Sequence, residues 1–366
     1  MMSVRKSFLL LLLSFFSLVS SVHGRNKRSH ARVRTHPKTL FSTAHTHLLD
    51  TKKITAKTYV WASGEVSPFD ELILSWNAMR PKKGFFTFKV SLFHDGKWSP
   101  LKKLASWGKN MQQTFGFAGK SLVHTKYVRV EMQKKIFASQ FKIEVTAEKG
   151  ANLSDLHALF ASTSHLDAYK KNNKISHLPS VMIKNVPTFT QWVGRHPRRK
   201  DFCSPISMFM MVRYFKKTFL CEDVSHRLTE EELISGVNQV HDSGLDIYGN
   251  WLMNIAHAYQ ETKGKVFYSV RRLQDFEALH RYLCQKIPVA VSVRGKLKGG
   301  LVPYNNGHFI VVIGWDRKKK MVRCIDPAIK DIKKTERWYS YDDFVTAWGR
   351  SRNLSYVSTL KGPSLL

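Results

Sequence analysis

The spacing of apolar and polar positions changes character twice along the chain. Between residues 41 and 150, short runs rich in β-branched and aromatic residues follow one another: Thr58-Tyr59-Val60-Trp61, Leu72-Ile73-Leu74-Ser75-Trp76, Phe85 through Phe93, Tyr127 through Met132 and Phe141 through Val145. Several alternate apolar with polar residues, the period of a half-buried strand. His94-Asp95-Gly96-Lys97 supplies a hairpin turn between two such runs. Short strands at this spacing predict an antiparallel β-sandwich over 41–150. Trp61, Trp76, Trp98 and Trp107 are expected to fill its core rather than to form a carbohydrate-stacking platform.

Residues 151–180 lose the alternation and end in the run Lys170 to Lys174. They read as a linker with a helical turn or two, and a second domain is expected over 181–366. There the period becomes helical. Pro205 suits a first helical turn, and Met208, Met211, Val212 and Phe215 recur at core spacing. Thr229 followed by Glu230, Glu231 and Glu232 reads as the capped start of a second helix reaching about Val240. Residues 246–261 and 273–286 predict two more helices. Strands are then expected at 288–293, at 308–315 (apolar on both faces and therefore central) and at 321–325. A helix over 341–348 and a strand over 354–357 close the pattern. Helices first and an antiparallel sheet after is an α+β layout.

Length and composition fit this division. The 366 residues suggest about two domains, and 43% hydrophobic residues exclude global disorder. Charge changes the picture more: 59 Lys+Arg against 27 Asp+Glu leave a net +32. Such a surface attracts polyanions and anionic headgroups within about a Debye length, but says nothing of fold. No specific nucleic acid is implied. At the N-terminus, Arg5 and Lys6 precede an apolar stretch, Phe8 to Val22, of 15 residues. That is shorter than the roughly 20 a spanning helix needs. With Val22-His23-Gly24 after it, the pattern predicts a signal peptide over 1–24, a basic flexible arm over 25–40, and export to a periplasmic, cell-envelope or extracellular location. Of the four cysteines, Cys221, Cys284 and Cys324 are expected to be small buried apolar residues, with a Cys221–Cys284 disulfide as the alternative.

The fourth, Cys203, carries the chemistry. It stands where a helix begins, and helix N-termini favour a negative charge. Arg195, Arg198, Arg199 and Lys200 lie just upstream, and cations favour a thiolate. His308 opens a buried strand after Asn305-Asn306-Gly307, a placement that puts an imidazole at the end of a sheet. Asp326 follows 18 residues later on a run joined to the first by the basic turn Asp316 to Lys320. Neighbouring antiparallel strands would bring the two together, with the carboxylate holding the imidazole's tautomer. Asp316 is the rival orienter, although its place at the lysine turn reads as a solvated loop end. No Cys/His cluster has metal-ligand spacing, so no cofactor is implied.

Residues 181–357 resemble the papain-like cysteine peptidases of the bacteriocin-processing (double-glycine leader peptidase) type, in particular their exported relatives with an N-terminal β domain. The resemblance rests on Val186-Pro187 ahead of Gln191, on Cys203-Ser204-Pro205-Ile206-Ser207-Met208, on Gly307-His308-Phe309-Ile310-Val311-Val312 with Gly314, and on Asp326-Pro327. Tyr341, Phe344 and Trp348 fit the late helix of that family, and the stretches Phe69 to Ile73 and Ser75 to Ala78 are similar to the β domain preceding exported members. It implies Cys203 as nucleophile, His308 as base and then acid, Asp326 as orienter, and Gln191 as an oxyanion donor beside the Cys203 backbone N–H. Two features depart from the pattern. Gln191 lies 12 residues before Cys203, with Arg195 to Lys200 filling the interval, and Ser204 stands where many members have glycine. The expected function is an exported cysteine peptidase acting on a peptide or protein. Two alternatives stay open: a wall-peptide amidase or transglutaminase-type acyl transferase with the same triad, and a surface- or polyanion-binding protein whose papain-like half is silent.

Overall fold

A computed structural model describes residues 40–360, apart from 53, 55, 118–120, 172–174 and 226–227. The expected signal peptide and basic arm lie outside the described residues, save for the exposed Leu40. Among the described residues no helix is long and apolar enough to cross a membrane.

The alternating segments form strands as the pattern requires. In chain order they are β1 (Ser42–Leu48), β2 (Thr58–Ala62), β3 (Glu71–Ala78), β4 (Phe85–His94), β5 (Lys97–Trp98), β6 (Lys102–Gly108), β7 (Gln112–Thr114), β8 (Val123–Lys126), β9 (Arg129–Met132), β10 (Gln140–Glu148) and β11 (Leu156–Ser164). They make two antiparallel sheets, ordered β1-β11-β3-β9-β8 and β2-β10-β4-β6-β7, with β5 on β4. Aromatic side chains of the two sheets meet. Trp76 of β3 stacks on Phe88 of β4 at 4.0 Å between centroids and meets Trp107 of β6 edge-on at 6.2 Å. Trp76 and Trp107 are fully buried, whereas Trp61 and Trp98 are only half-buried, Trp98 under the Lys142 ammonium.

The linker expected over 151–180 holds a strand instead. β11 pairs with β1 on one side and β3 on the other, flanked by short 3-10 turns at Leu153–Asp155 and Leu166–Ala168. Leu156, Leu159 and Phe160 imitate helical spacing, and two pairing partners override that local preference.

In the remainder, β12 (Val181–Met182) leads through the 3-10 turn Arg199–Asp201 to α1 (Cys203–Thr218). Then follow α2 (Glu230–Asn238), α3 (Trp251–Glu261), β13 (Phe267–Arg272), α4 (Phe276–Cys284), β14 (Val289–Gly295), β15 (Tyr304–Asp316), β16 (Met321–Ile325), β17 (Glu336–Ser340), α5 (Tyr341–Arg350) and β18 (Leu354–Thr359). The sheet order is β13-β18-β14-β15-β16-β17, with β12 added to β15. This is the expected α+β, papain-like layout. Thr229 caps α2 in a reciprocal capping box with Glu232, as its sequence signature predicts. The third helix starts at Trp251 rather than 246, because the Asn250 side chain caps it through Leu252 N and Met253 N.

β13 is an edge strand, and its outward N–H groups need acceptors. Side chains of the first sheet supply them. Tyr268 N donates to Asn77 Oδ1 at 2.9 Å, Val270 N to Ser75 Oγ at 3.2 Å and Arg272 N to Ser162 Oγ at 3.4 Å. Asn77 also donates to Tyr268 O at 2.8 Å. Beside them Arg272 grips both oxygens of the fully buried Glu71 and donates to Ser351 O and Arg352 O. The polar residues buried in β3 and β11 thus take the place of a neighbouring strand.

All four cysteines are free, and Cys221 and Cys284 are exposed, so only Cys324 has the buried setting expected of the three. Cys221 lies in the turn after α1 and Cys284 ends α4, positions at element ends where the core does not reach.

Candidate active site

Cys203 is the first residue of α1, and Phe202 before it offers no side-chain cap. The first-turn N–H groups therefore lack a side-chain acceptor at the place where an anionic sulfur would sit. α1 is held to the sheet through two hydroxyls. Ser207, one turn beyond Cys203, donates to Phe309 O at 3.2 Å. Ser204 and the buried Tyr356 of β18 join hydroxyls at 2.8 Å. That bond accounts for serine at the position where the resembling family often has glycine. Since Phe309 follows His308, the Ser207 bond also fixes the helix start against the histidine.

His308 and Asp326 come together through strand register. β15 and β16 pair Val312 with Cys324 and Val311 with Ile325. One further step puts Asp326 opposite Ile310, whose side chain shares a face with His308. Gly307, at φ +89°, makes the bend into this stretch. The result is a 2.7 Å bond between His308 Nε2 and Asp326 Oδ1, with both residues buried. Burial pulls the imidazole pKa down, but the Asp326 charge and hydrogen bond, with the charge of Cys203, raise it to about 10. Burial likewise opposes ionisation of Asp326, and His308, Tyr339 and the Ala328 N–H overcome it, holding the carboxyl at about 2.

Sequence reasoning missed the groups that complete this carboxylate. Tyr304 and Tyr339 each place a hydroxyl 2.8 Å from Asp326 Oδ2, and Ala328 N donates to Oδ1 at 2.9 Å. Tyr304 also stacks its ring on His308 at 4.1 Å. Burial and the Asp326 charge push both phenols well up, so both stay donors. The period of β15 carried a usable signal for Tyr304, which lies four residues before His308 on the same strand face. Tyr339 sits on β17 and gave none. Asp316, the rival orienter, accepts Lys319 N at 3.0 Å in the exposed turn.

Gln191 is buried, and it bridges the cysteine and aspartate segments. Its Nε2 donates to Lys200 O at 2.9 Å and its backbone N to Pro327 O at 2.8 Å. Trp192 Nε1 adds a 2.6 Å bond to Ala328 O. One carboxamide hydrogen is thereby used, while Oε1 has no partner among the described residues. The basic residues between Gln191 and Cys203 do less for the thiol than expected. Arg198 is ion-paired to Asp201 at 3.0 Å and to Asp246 at 2.8 Å, and Arg199 lies over the Trp192 ring and bonds Gly194 O.

Two further tyrosines lie within reach of the Cys203 charge. Burial raises the phenol pKa of Tyr356 and of Tyr127, and the Cys203 charge adds to both. Tyr127 comes from the β8–β9 turn, far away in sequence. Among the described residues no group of His, Cys, Asp and Glu could hold a metal ion.

Residues 183–356 match the model of a family described as the Peptidase_C39 like family. Among solved structures, the chain is similar to xylellain, a cysteine protease from Xylella fastidiosa, at 12% identity over 52% of this chain and 90% of that one, with a TM-score of 0.28. No curated protein matches the chain.

Proposed function

We propose that the protein is an exported cysteine peptidase working through Cys203, His308 and Asp326, a reading supported by the match of residues 183–356 to the Peptidase_C39 like family. The observation that carries the reading is the buried His308–Asp326 pair at 2.7 Å, with Cys203 opening α1 and the start of that helix tied through Ser207 to Phe309, the residue after the histidine. His308 takes the Cys203 thiol proton, the thiolate attacks the carbonyl carbon of a peptide bond, and the displaced electron pair moves onto oxygen. The Cys203 backbone N–H and the remaining Nε2 hydrogen of Gln191 receive that oxyanion. His308 then protonates the leaving amine as the C–N bond breaks, which leaves a thioester. Water, deprotonated by His308, attacks the thioester; the C–S bond breaks, the acyl group leaves as the carboxylic acid, and His308 returns its proton to the sulfur. Asp326 keeps the ring oriented and stabilises its charged form.

The same reading takes the two sheets of β1 to β11, residues 42–164, as a β-sandwich domain in front of the peptidase domain at 181–366. It takes 1–24 as the export signal and the basic face as a contact for an anionic envelope surface. The narrower kinship with bacteriocin-processing enzymes belongs here too, supported by the motifs around Cys203, His308 and Asp326.

Iodoacetamide labelling of the folded protein between pH 4 and 9, with peptide mapping, tests the reading. The exposed Cys221 and Cys284 serve as internal comparators. Cys203 should label faster than both below the ordinary thiol pKa of about 8.5, and His308→Ala should remove the advantage. Cys203→Ala should abolish peptide turnover while the fold remains. Labelling of Cys203 no faster than the comparators would defeat the assignment. Mass spectrometry of products separates hydrolysis from acyl transfer.

A further inference from the structure

β8 and β9 are joined by the two-residue turn Tyr127-Val128, with Lys126 opposite Arg129. Tyr127 has φ +62°, the left-handed region that glycine or asparagine usually fills in such hairpins. A bulky ring is unfavourable there, and it persists because its surroundings hold it. The ring leans on Trp251 at the start of α3, with centroids 5.1 Å apart. The hydroxyl lies over Gly249, where a Cβ would come within 3.3 Å of it. Tyr248, next in the chain, packs on Phe202 at 4.9 Å, and Phe202 precedes Cys203. Tyr127 keeps 39% of its surface exposed, and among the described residues no hydrogen bond holds its hydroxyl.

The 241–250 loop that brings these groups together is itself tied to the first half of the chain. Buried Asp242 accepts Thr114 N at 2.9 Å and Asn250 Nδ2 at 2.6 Å, and Ser243 donates to Gln112 O at 2.9 Å. The edge strand β7 and the β8–β9 turn therefore both reach the nucleophile's side of the molecule. Burial, with the charges of Cys203, Asp242 and Asp201, keeps the Tyr127 phenol protonated, so it remains a donor.

We propose that Tyr127 is a substrate-binding residue of the peptidase cleft: with Trp251 it forms an aromatic wall beside Cys203 for an apolar side chain next to the scissile bond, and its hydroxyl donates to the peptide backbone. The β region thereby completes the cleft. This rests on the reading of Cys203 as the nucleophile.

The test compares how fast the full chain's Cys203 is alkylated by iodoacetamide and by two peptidyl chloromethyl ketones, acetyl-Ala-Ala-Phe and acetyl-Ala-Ala-Gly. Tyr127→Gly relieves the backbone and should leave the iodoacetamide rate within about two-fold, because that reagent needs no wall. The same variant should slow the Phe reagent about ten-fold, about 1.4 kcal/mol, and erase its advantage over the Gly reagent. Tyr127→Phe should keep that advantage and slow both peptidyl reagents about five-fold, the scale of one hydrogen bond. Unchanged peptidyl rates in Tyr127→Gly, or peptidyl and iodoacetamide rates falling together, would overturn the role of Tyr127 alone. No labelling of Cys203 in the unsubstituted protein would overturn both this role and the nucleophile.

Discussion

Asp326→Asn removes one negative charge from the centre of a buried cluster and preserves the shape that fills it. The carboxylate receives four donors: His308 Nε2 at 2.7 Å, Ala328 N at 2.9 Å, and the Tyr304 and Tyr339 hydroxyls at 2.8 Å. The asparagine oxygen can still accept from His308, so the change is mainly electrostatic. In the native site the imidazole pKa is about 10 although burial, the largest influence, works against it. Without the carboxylate that influence prevails, and the pKa should fall below the ordinary 6.5. The difference of about 3.5 units corresponds to roughly 5 kcal/mol of preference for the charged ring, at about 1.4 kcal/mol per unit. NMR titration of the His308 ring reads this directly. The native ring should stay charged to about pH 10, and the Asp326→Asn ring should be neutral at pH 7. Stability follows with a definite sign. The raised His308 pKa contributes fully below about 6.5 and is lost as pH rises through about 10. The lowered Asp326 pKa contributes fully above about 3.8 and is lost as pH falls through about 2. Denaturant midpoints of the native protein should therefore hold between about pH 4 and 6.5 and decline on both sides, and the two flanks should flatten in Asp326→Asn. A variant ring that still titrates above pH 8 would refute the argument that the carboxylate holds the proton.

Three other perturbations probe the surroundings. Tyr339→Phe removes one hydroxyl from Asp326 Oδ2 and should cost about 1.5–3 kcal/mol in urea unfolding, the range for a bond to a charged group; a change under about 0.5 kcal/mol would mean that Tyr304 alone suffices. Arg272→Ala leaves Glu71 buried with Arg129 as its remaining partner at 3.0 Å and strips an acceptor-filling group from Ser351 O and Arg352 O. It should cost about 3–5 kcal/mol, whereas a paired Arg272→Met, Glu71→Met replacement should recover most of that loss. Asn77→Ala unsatisfies the Tyr268 N–H and C=O at the β13 edge, and a loss of about 1–3 kcal/mol is expected by the same urea measurement.

The sequence by itself determined those features that lie within one element or across one turn. Cys203 before Pro205 marked a helix start, because proline at a first turn loses no hydrogen bond. The apolar run after His308 marked a central strand, and the 18-residue interval to Asp326 fitted two strands around a short turn. Composition and period gave the α+β order and the strand-rich first half. Tertiary structure decided whatever depends on partners distant in the chain. Leu156, Leu159 and Phe160 are spaced as in a helix, and only pairing on both sides makes β11 a strand. Ser75, Asn77 and Ser162 look like ordinary polar strand residues until β13 presents its unpaired edge to them. Arg198 reads as a cation available to Cys203 until Asp246, 48 residues on, claims it. Tyr339, on a strand, and Tyr127, in a hairpin turn, reach Asp326 and the neighbourhood of Cys203 from places that no local period connects to either. Propensity and periodicity are properties of neighbours in sequence, whereas desolvation, ion pairing and edge satisfaction belong to neighbours in space, and those are what set the protonation of this site.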